Sequence, residues 1–239
     1  MMSELISIVI PLAKGETQWQ HLCQNFALLP EGSEIILVAV EGEELEEERE
    51  LFQQKFPKLS WKVIYSLQGR AIQLNQGATT AKGDFIWFLH ADSQITEHNI
   101  QMLMLCLKQA GADQTLYYFD LYFHDKHNKW LKINELGSRF RSDLLGLPFG
   151  DQGFFMSKEC FNHIGAYDVD AAYGEDHLFV WQAKHNVVPL KRCPSKLATS
   201  SRKYQKHGWK LTLKYQYLWP KQALPQLLKL LKTRFLARA

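Results

Sequence analysis

GRAIQLNQGATTAKGDFIWFLHADS, residues 69–93, decides how this chain folds, because it passes from a helical period into a strand and ends on an acid. Ala71, Leu74, Ala78 and Ala81 recur at the spacing of one helix face, which predicts a helix over Arg70–Lys82. Asp84–Leu89 then reads as a strand, with Phe85–Leu89 an unbroken apolar run. Asp92 falls just beyond it. In open parallel sheets ligands bind past the carboxyl ends of the strands, so polar residues that follow apolar runs are the ones to examine.

The same alternation extends toward the N-terminus. Leu5–Ile10 reads as a buried strand, and Leu22, Phe26 and Leu29 mark a helix face ahead of Pro30. Glu34–Val40 is a second strand, Glu43–Lys55 a charged helix with an exposed face, and Lys62–Tyr65 a third strand. After the fourth strand, Ile100, Leu103 and Leu107 give another helix. Strands alternating with helices require a parallel sheet with right-handed crossovers. Beyond about residue 112 the pattern changes: Leu116–Phe123 is an aromatic-rich strand, Lys129–Leu145 a helix, and Gly153–Met156 a short strand. Glu175–Lys184 is a helix, Val187–Arg192 a strand, and a Lys-rich segment follows. The expected architecture is one α/β domain over residues 1–222, with a mostly parallel central sheet flanked by helices. Its nucleotide-type half is residues 1–112 and its second-substrate half 113–222, followed by a basic amphipathic tail at 223–239.

Composition narrows the class. The chain has 239 residues, 46% of them hydrophobic and 22% charged, which excludes disorder, collagen and a small disulfide-stapled scaffold. A net charge of +3 is too mild for nucleic-acid binding through bulk electrostatics. Cys23, Cys106, Cys160 and Cys193 are dispersed, without the close pairs of a zinc ribbon or a redox motif, and suit a reducing compartment. The opening MMSELISIVIP has no Lys or Arg before its apolar stretch, which stops at Pro11. No run reaches the roughly 20 apolar residues that cross a bilayer. The expectation is a cytoplasmic protein. Leu227–Leu236 forms a basic amphipathic end that either packs on the domain or a partner, or lies at the inner face of the membrane.

Four segments could carry chemistry. Asp92 suits a hard divalent cation that leaves positions open for phosphate oxygens, and it equally suits a turn or helix cap. His90 fits a ribose contact or a satisfied strand-end ring better than a metal ligand, since hard cations prefer oxygen. Arg70, Asn75 and Gly77 open or line the helix ahead of the fourth strand, where an Arg fork and helix amides can hold anionic or ribose groups; alone, the segment is an amphipathic helix containing a glycine. In AYGEDHLFVW, Glu175 and Asp176 begin an apolar helix; one can cap it while the other faces a cleft as a general base. Asp151 and Gln152 in PFGDQGFF occupy a glycine-flanked turn. SSRKYQKHGWK brings Arg202 and Lys203 with aromatics between, able to close over a diphosphate, to touch anionic lipid, or to remain a solvated surface. No GxGxxG follows the first strand, against a dinucleotide-dependent oxidoreductase, and the Gly-rich, Arg-containing loop of a nucleotidyltransferase is missing there.

Taken together, GRAIQLNQGATTAKGDFIWFLHADS and FGDQGFF…GEDHLF resemble the family 2 glycosyltransferases of GT-A fold, and in particular a bacterial subgroup reading GRAxQxNxGAxxAxGDxLxFLHAD. The resemblance runs from SIVIPLAKGE to the basic segment near Trp209. It implies transfer of a sugar, with inversion, from a nucleotide-diphosphate sugar to a hydroxyl acceptor on a glycan or lipid, assisted by Mg²⁺ or Mn²⁺. It matches Asp92 to the metal-binding acid and Asp176, beside Glu175, to the general base. Pro11, Glu16, Glu41, Arg70, Asn75, His90 and Asp92 fall on the nucleotide-sugar side. Asp151, Gln152, Arg202 and Lys203 fall on the acceptor or diphosphate side. LAKGE replaces the usual Asn-Glu-Glu, VAVEGEE lacks the Asp-Gly-Ser turn, and His90 takes the first acidic position. The alternative these departures leave is a catalytically degenerate GT-A protein that binds a nucleotide or a partner.

Overall fold

The computed structural model describes residues 5–124 and 129–236; residues 1–4, 125–128 and 237–239, the last closing the segment read as a tail, lie outside them. The apolar runs of the first half form four parallel strands, β1 (Ile6–Pro11), β2 (Glu34–Val40), β3 (Ser60–Ser66) and β4 (Phe85–Phe88). They lie in the order β3-β2-β1-β4, with Ile8 opposite both Ile35 and Trp87. Every residue of β2 is buried, which is why IILVAV shows no alternation. Glu34 opens that strand at 2% exposure, accepting from the Ser7 hydroxyl and the Lys82 amide and pairing with Lys62. Burial opposes its charge, and these donors outweigh burial to hold its carboxyl below the usual range.

Helices cover both faces: α1 (Trp19–Cys23), continued by a 3₁₀ turn, then α2 (Glu46–Lys55), α3 (Arg70–Thr80) and α4 (Glu97–Leu107). One apolar cluster gathers Trp19, Phe26, Trp61 and Leu103, and the other Val9, Val38, Leu74 and Ala78. The helix α3 lies hard on the sheet at Gly77, where a Cβ would stand 2.3 Å from Val9 Cγ1. This close seat fixes the N-terminal turn of α3, and Arg70 with it, at the strand ends.

The second half completes the sheet. Its strands are β5 (Ser93–Gln94), β6 (Leu116–Phe123), β7 (Phe155–Ser157) and β8 (Leu190–Thr199). Among the described residues, eight strands form one sheet in the order β3-β2-β1-β4-β7-β6-β8-β5. The chain reverses at β7, antiparallel to both β4 and β6; β8 is parallel to β6, and β5 antiparallel to β8. The result is a single mixed α/β domain, parallel where the sequence showed regular alternation and mixed beyond it. The remaining helices are α5 (Lys129–Leu145), α6 (Lys158–Ile164), α7 (Glu175–His185) and α8 (Arg202–Leu236).

Two segments differ from the sequence reading. The last long strand starts at Leu190 and runs to Thr199 instead of Val187–Arg192, because Val187 turns through a positive φ of 58° at the end of α7. The Lys-rich segment is a helix from Arg202 onward, despite Pro220 and Pro225 within it, and the 222/223 boundary falls inside that helix. Among the described residues no helix is long and apolar enough to cross a membrane.

Candidate active site

The carboxyl ends of the central strands open into two adjoining cavities. The first, about 340 Å³, is lined by Pro11, Glu16 and Val40 after β1 and β2, by Gln68–Arg70 after β3, by His90–Asp92 after β4, and by Arg202. The second, about 420 Å³, lies between α5, α7 and α8; Asp151, Glu175, Asp176 and Trp219 are among its walls. Arg70, His90 and Asp92 belong to both, so the two cavities meet at these three side chains.

Each junction residue is held by a traceable device. Asp92 sits in a turn closed by the Ser93 amide on the His90 carbonyl, and β5 immediately pairs Ser93 with Thr199 of β8. That pairing brings the Thr199 hydroxyl to 3.4 Å from Asp92 Oδ1. Arg70 opens α3, donates to His90 Nε2, and reaches Glu175 of α7 at 3.3 Å.

Asp176 lies in the first turn of α7, behind Gly174 in the left-handed conformation. Its Oδ2 accepts the Gly150 amide at 2.6 Å and its Oδ1 the His177 amide at 2.8 Å. Gly150 is tightly seated: a Cβ there would stand 3.0 Å from both Asp176 Oδ2 and Arg70 Nη2, which would have to give by a few tenths of an ångström. Behind Asp176, Trp181 donates to His177 Nε2 at 2.9 Å, and His177 Nδ1 meets Gln222 Oε1 of α8 at 3.0 Å. The imidazole is therefore neutral, its proton on Nδ1 shared with Gln222. Burial drives its pKa down to about 4, against the opposing charge of Asp176.

Several expected residues do converge. Pro11, Glu16, Arg70, His90 and Asp92 line the first cavity, and Asp92, Asp151, Glu175 and Asp176 line the second. Burial opposes the charge of Glu16, but the Gln18 amide and Arg202 at 2.9 Å hold its carboxyl below the ordinary range.

Others are placed differently. Asn75, expected on the nucleotide side, lines neither cavity: its amide exchanges two 2.8 Å hydrogen bonds with the Tyr167 backbone and ties α3 to the second half. Gln152, expected toward the acceptor, is fully buried beneath the cavity; it accepts from Ser142 and the Phe149 amide and donates to the Phe119 carbonyl. Glu41 is exposed at the end of β2 and lines neither cavity. Arg202, expected on the acceptor or diphosphate side, lines the first cavity, where it pairs with Glu16. The Lys203 side chain lies outside what is described.

Sequence reasoning missed Gln73, His177 and Gln222. Gln73 is 4% exposed and donates 2.7 Å hydrogen bonds to the carbonyls of Leu12 and Val38, anchoring the strand ends around the first cavity. A polar residue flanked by Ile72 and Leu74 on α3 was the available signal. His177 and Gln222, 45 residues apart, left none.

Among the described residues no group of three or more His, Cys, Asp or Glu could hold a metal ion. The donor set at the junction is one carboxylate, Asp92, beside the Thr199 hydroxyl. One hard oxygen suits Mg²⁺ or Mn²⁺ brought with a diphosphate, because such ions take most of their ligands from phosphate and water.

A family model, glycosyl transferase family 2, matches residues 34–165, more than half of the chain. The chain is similar in structure to Staphylococcus aureus TarS 1-349 in complex with UDP-GlcNAc, with a TM-score of 0.62 and 15% identity over 82% of this chain and 58% of that one. It is likewise similar to the mannosyltransferase PcManGT from Pyrobaculum calidifontis in complex with GDP-Man and Mn²⁺, with a TM-score of 0.65 and 13% identity over 85% of this chain and 59% of that one. GalNAc-T7, solved with UDP, GalNAc and Mn²⁺, gives a TM-score of 0.59 and 14% identity over 82% of this chain and 44% of that one. The chain thus spans about half the length of these structures, and the likeness is one of GT-A fold. No curated protein matches the chain.

Proposed function

The chain belongs to glycosyl transferase family 2, and we propose that it moves a sugar, with inversion, from a nucleotide-diphosphate sugar in the first cavity to a hydroxyl acceptor in the second. One observation carries this reading: Arg70, His90 and Asp92 join the two cavities, and the Asp176 carboxylate faces the second. A donor whose diphosphate lay at that junction would present its anomeric carbon toward the second cavity.

Asp176 is the general base. It removes the proton of the acceptor hydroxyl while that oxygen bonds to the anomeric carbon and the bond from that carbon to the diphosphate oxygen breaks. Attack from the side opposite the leaving group inverts the centre. The Gly150 and His177 amides fix both carboxylate oxygens, and the Arg70–Glu175 pair at 3.3 Å ties α7 to the donor side. Glu175 is thus a positioning residue for Arg70. Arg70 and Arg202 supply positive charge to the departing diphosphate. Asp92 would hold a Mg²⁺ or Mn²⁺ ion, which when bound supplies further charge neutralisation at the phosphates. The four cysteines are free and buried, which suits work in a reducing cytoplasm.

The test is a screen of UDP-, GDP- and dTDP-sugars with and without Mn²⁺, read as donor binding and as released nucleoside diphosphate. The reading expects at least one donor to bind in a metal-dependent way and to hydrolyse slowly without acceptor. A donor that binds and is never cleaved under any acceptor condition would overturn transfer and leave the degenerate nucleotide-binding alternative.

A further inference from the structure

The helix α8 presents its two sides to different surroundings. Ala223 and Leu230 are buried in the second apolar cluster, and Leu218, Trp219 and Gln222 wall the second cavity. On the side away from that cavity Leu213, Tyr217, Leu224, Leu228, Leu231 and Phe235 follow one another at three-, four- and seven-residue steps, each more than half exposed. The row is about 33 Å long at 1.5 Å per residue. Lys221, Lys229 and Lys232 are exposed, and Lys221 and Lys232 border it along one flank.

Charge decides what covers this row. No Asp or Glu occurs after Asp176, and residues 177–239 carry 14 of the chain's 28 Lys and Arg. Two copies of α8 packed row against row would bring the exposed lysines beside it, Lys221 and Lys232, against those of the other copy, with no Asp or Glu on either helix to pair them. An anionic lipid surface meets both features, because the leucines and Phe235 enter the acyl boundary while the lysines stay at the headgroups.

We propose that α8 docks on an anionic bilayer through this row, and that the acceptor reaching the second cavity is a membrane-borne, lipid-linked hydroxyl compound. The helix that meets the lipid also walls the acceptor cavity, so docking sets that cavity beside the headgroup layer. The second clause rests on the transfer reading above; the docking does not.

The experiment is co-sedimentation of the full chain with vesicles of phosphatidylcholine alone and of phosphatidylcholine mixed with phosphatidylglycerol, at low and high salt. Leu228→Ser/Leu231→Ser and Lys229→Gln/Lys232→Gln serve as variants, with circular dichroism and urea unfolding as the check that each is folded. The wild type should pellet with the anionic vesicles, lose most of that binding as salt shortens the Debye length, and lose about tenfold in the leucine pair. The lysine pair should lose affinity for anionic vesicles and leave the weaker binding to phosphatidylcholine unchanged. A wild type that stays in the supernatant, or a leucine pair that binds like the wild type, overturns the proposal. So does a dimer in analytical ultracentrifugation that the leucine pair dissolves, which would give the row to a second copy. Vesicle binding in a chain that never releases nucleoside diphosphate would retain the docking surface and refute only the transfer reading.

Discussion

Gly150→Ala perturbs the site with a single methyl group. The new Cβ would lie 3.0 Å from Asp176 Oδ2, 3.0 Å from Arg70 Nη2 and 3.1 Å from Asp176 Cβ. Unstrained heavy-atom contacts lie nearer 3.5–4.0 Å, so these groups must separate by about 0.5 Å. The 2.6 Å hydrogen bond from the Gly150 amide to Asp176 is the one that has to stretch. Misplacement by about 1 Å can cost about 100-fold in rate, so half of that is worth about tenfold in kcat. Global stability should change by less than about 1 kcal/mol, because the lower chain entropy of Ala in the unfolded state offsets the local strain. The assay is nucleoside diphosphate release at saturating donor and acceptor, alongside urea unfolding. Unchanged kcat at unchanged stability would refute the role assigned to the contact between Gly150 and Asp176.

Three further outcomes follow from particular residues. Gly77→Ala sets a methyl 2.3 Å from Val9 Cγ1; overpacking of about 1–3 kcal/mol exceeds the helix-propensity gain of about 1 kcal/mol, so the urea midpoint should fall, and an equal or higher midpoint would contradict the close seat of α3. His177 is neutral in the fold with its pKa lowered to about 4. The unfolded ring, near its ordinary 6.5, binds the proton first as pH drops, so stability present above about pH 6.5 is lost toward pH 4, by an amount on the order of 3 kcal/mol. The difference in urea unfolding between wild type and His177→Gln across that window measures it, and parallel pH curves would refute it. Asp92→Asn should make donor affinity independent of Mn²⁺, as titration calorimetry can read; an undiminished Mn²⁺ effect would move the cation elsewhere.

The parallel half of the fold was legible because its strands are buried on both faces: runs such as Ile35–Val40 and Phe85–Leu89 have few other ways to hide. β8 was harder to place, since Lys191, Arg192 and Lys196 face solvent along it and its pattern resembles a polar surface. α8 carries two prolines inside it, and burial of Ala223 and Leu230 against the domain, a tertiary effect, helps hold it as a helix. At the site, residues just past a strand end or at a helix start, among them Arg70, Asp92 and Asp176, line the cavities. Asn75 and Gln152 were misplaced because an amide that bonds backbone and one that bonds substrate look alike in sequence; which it does depends on neighbours such as Tyr167 and Phe119, 92 and 33 residues away. Gln222 escaped notice for the same reason, meeting His177 only in the folded chain.

The most direct measurement compares Asp176→Asn with the wild type, once a donor is identified, in donor affinity and in transfer at saturating donor. Donor affinity should be preserved, because Asp176 lines only the acceptor-side cavity, while transfer falls by about 100- to 10,000-fold with the loss of the base. Transfer at the wild-type rate, or loss of donor binding in step with transfer, would contradict the division of the cleft into a donor side and an acceptor side served by this carboxylate.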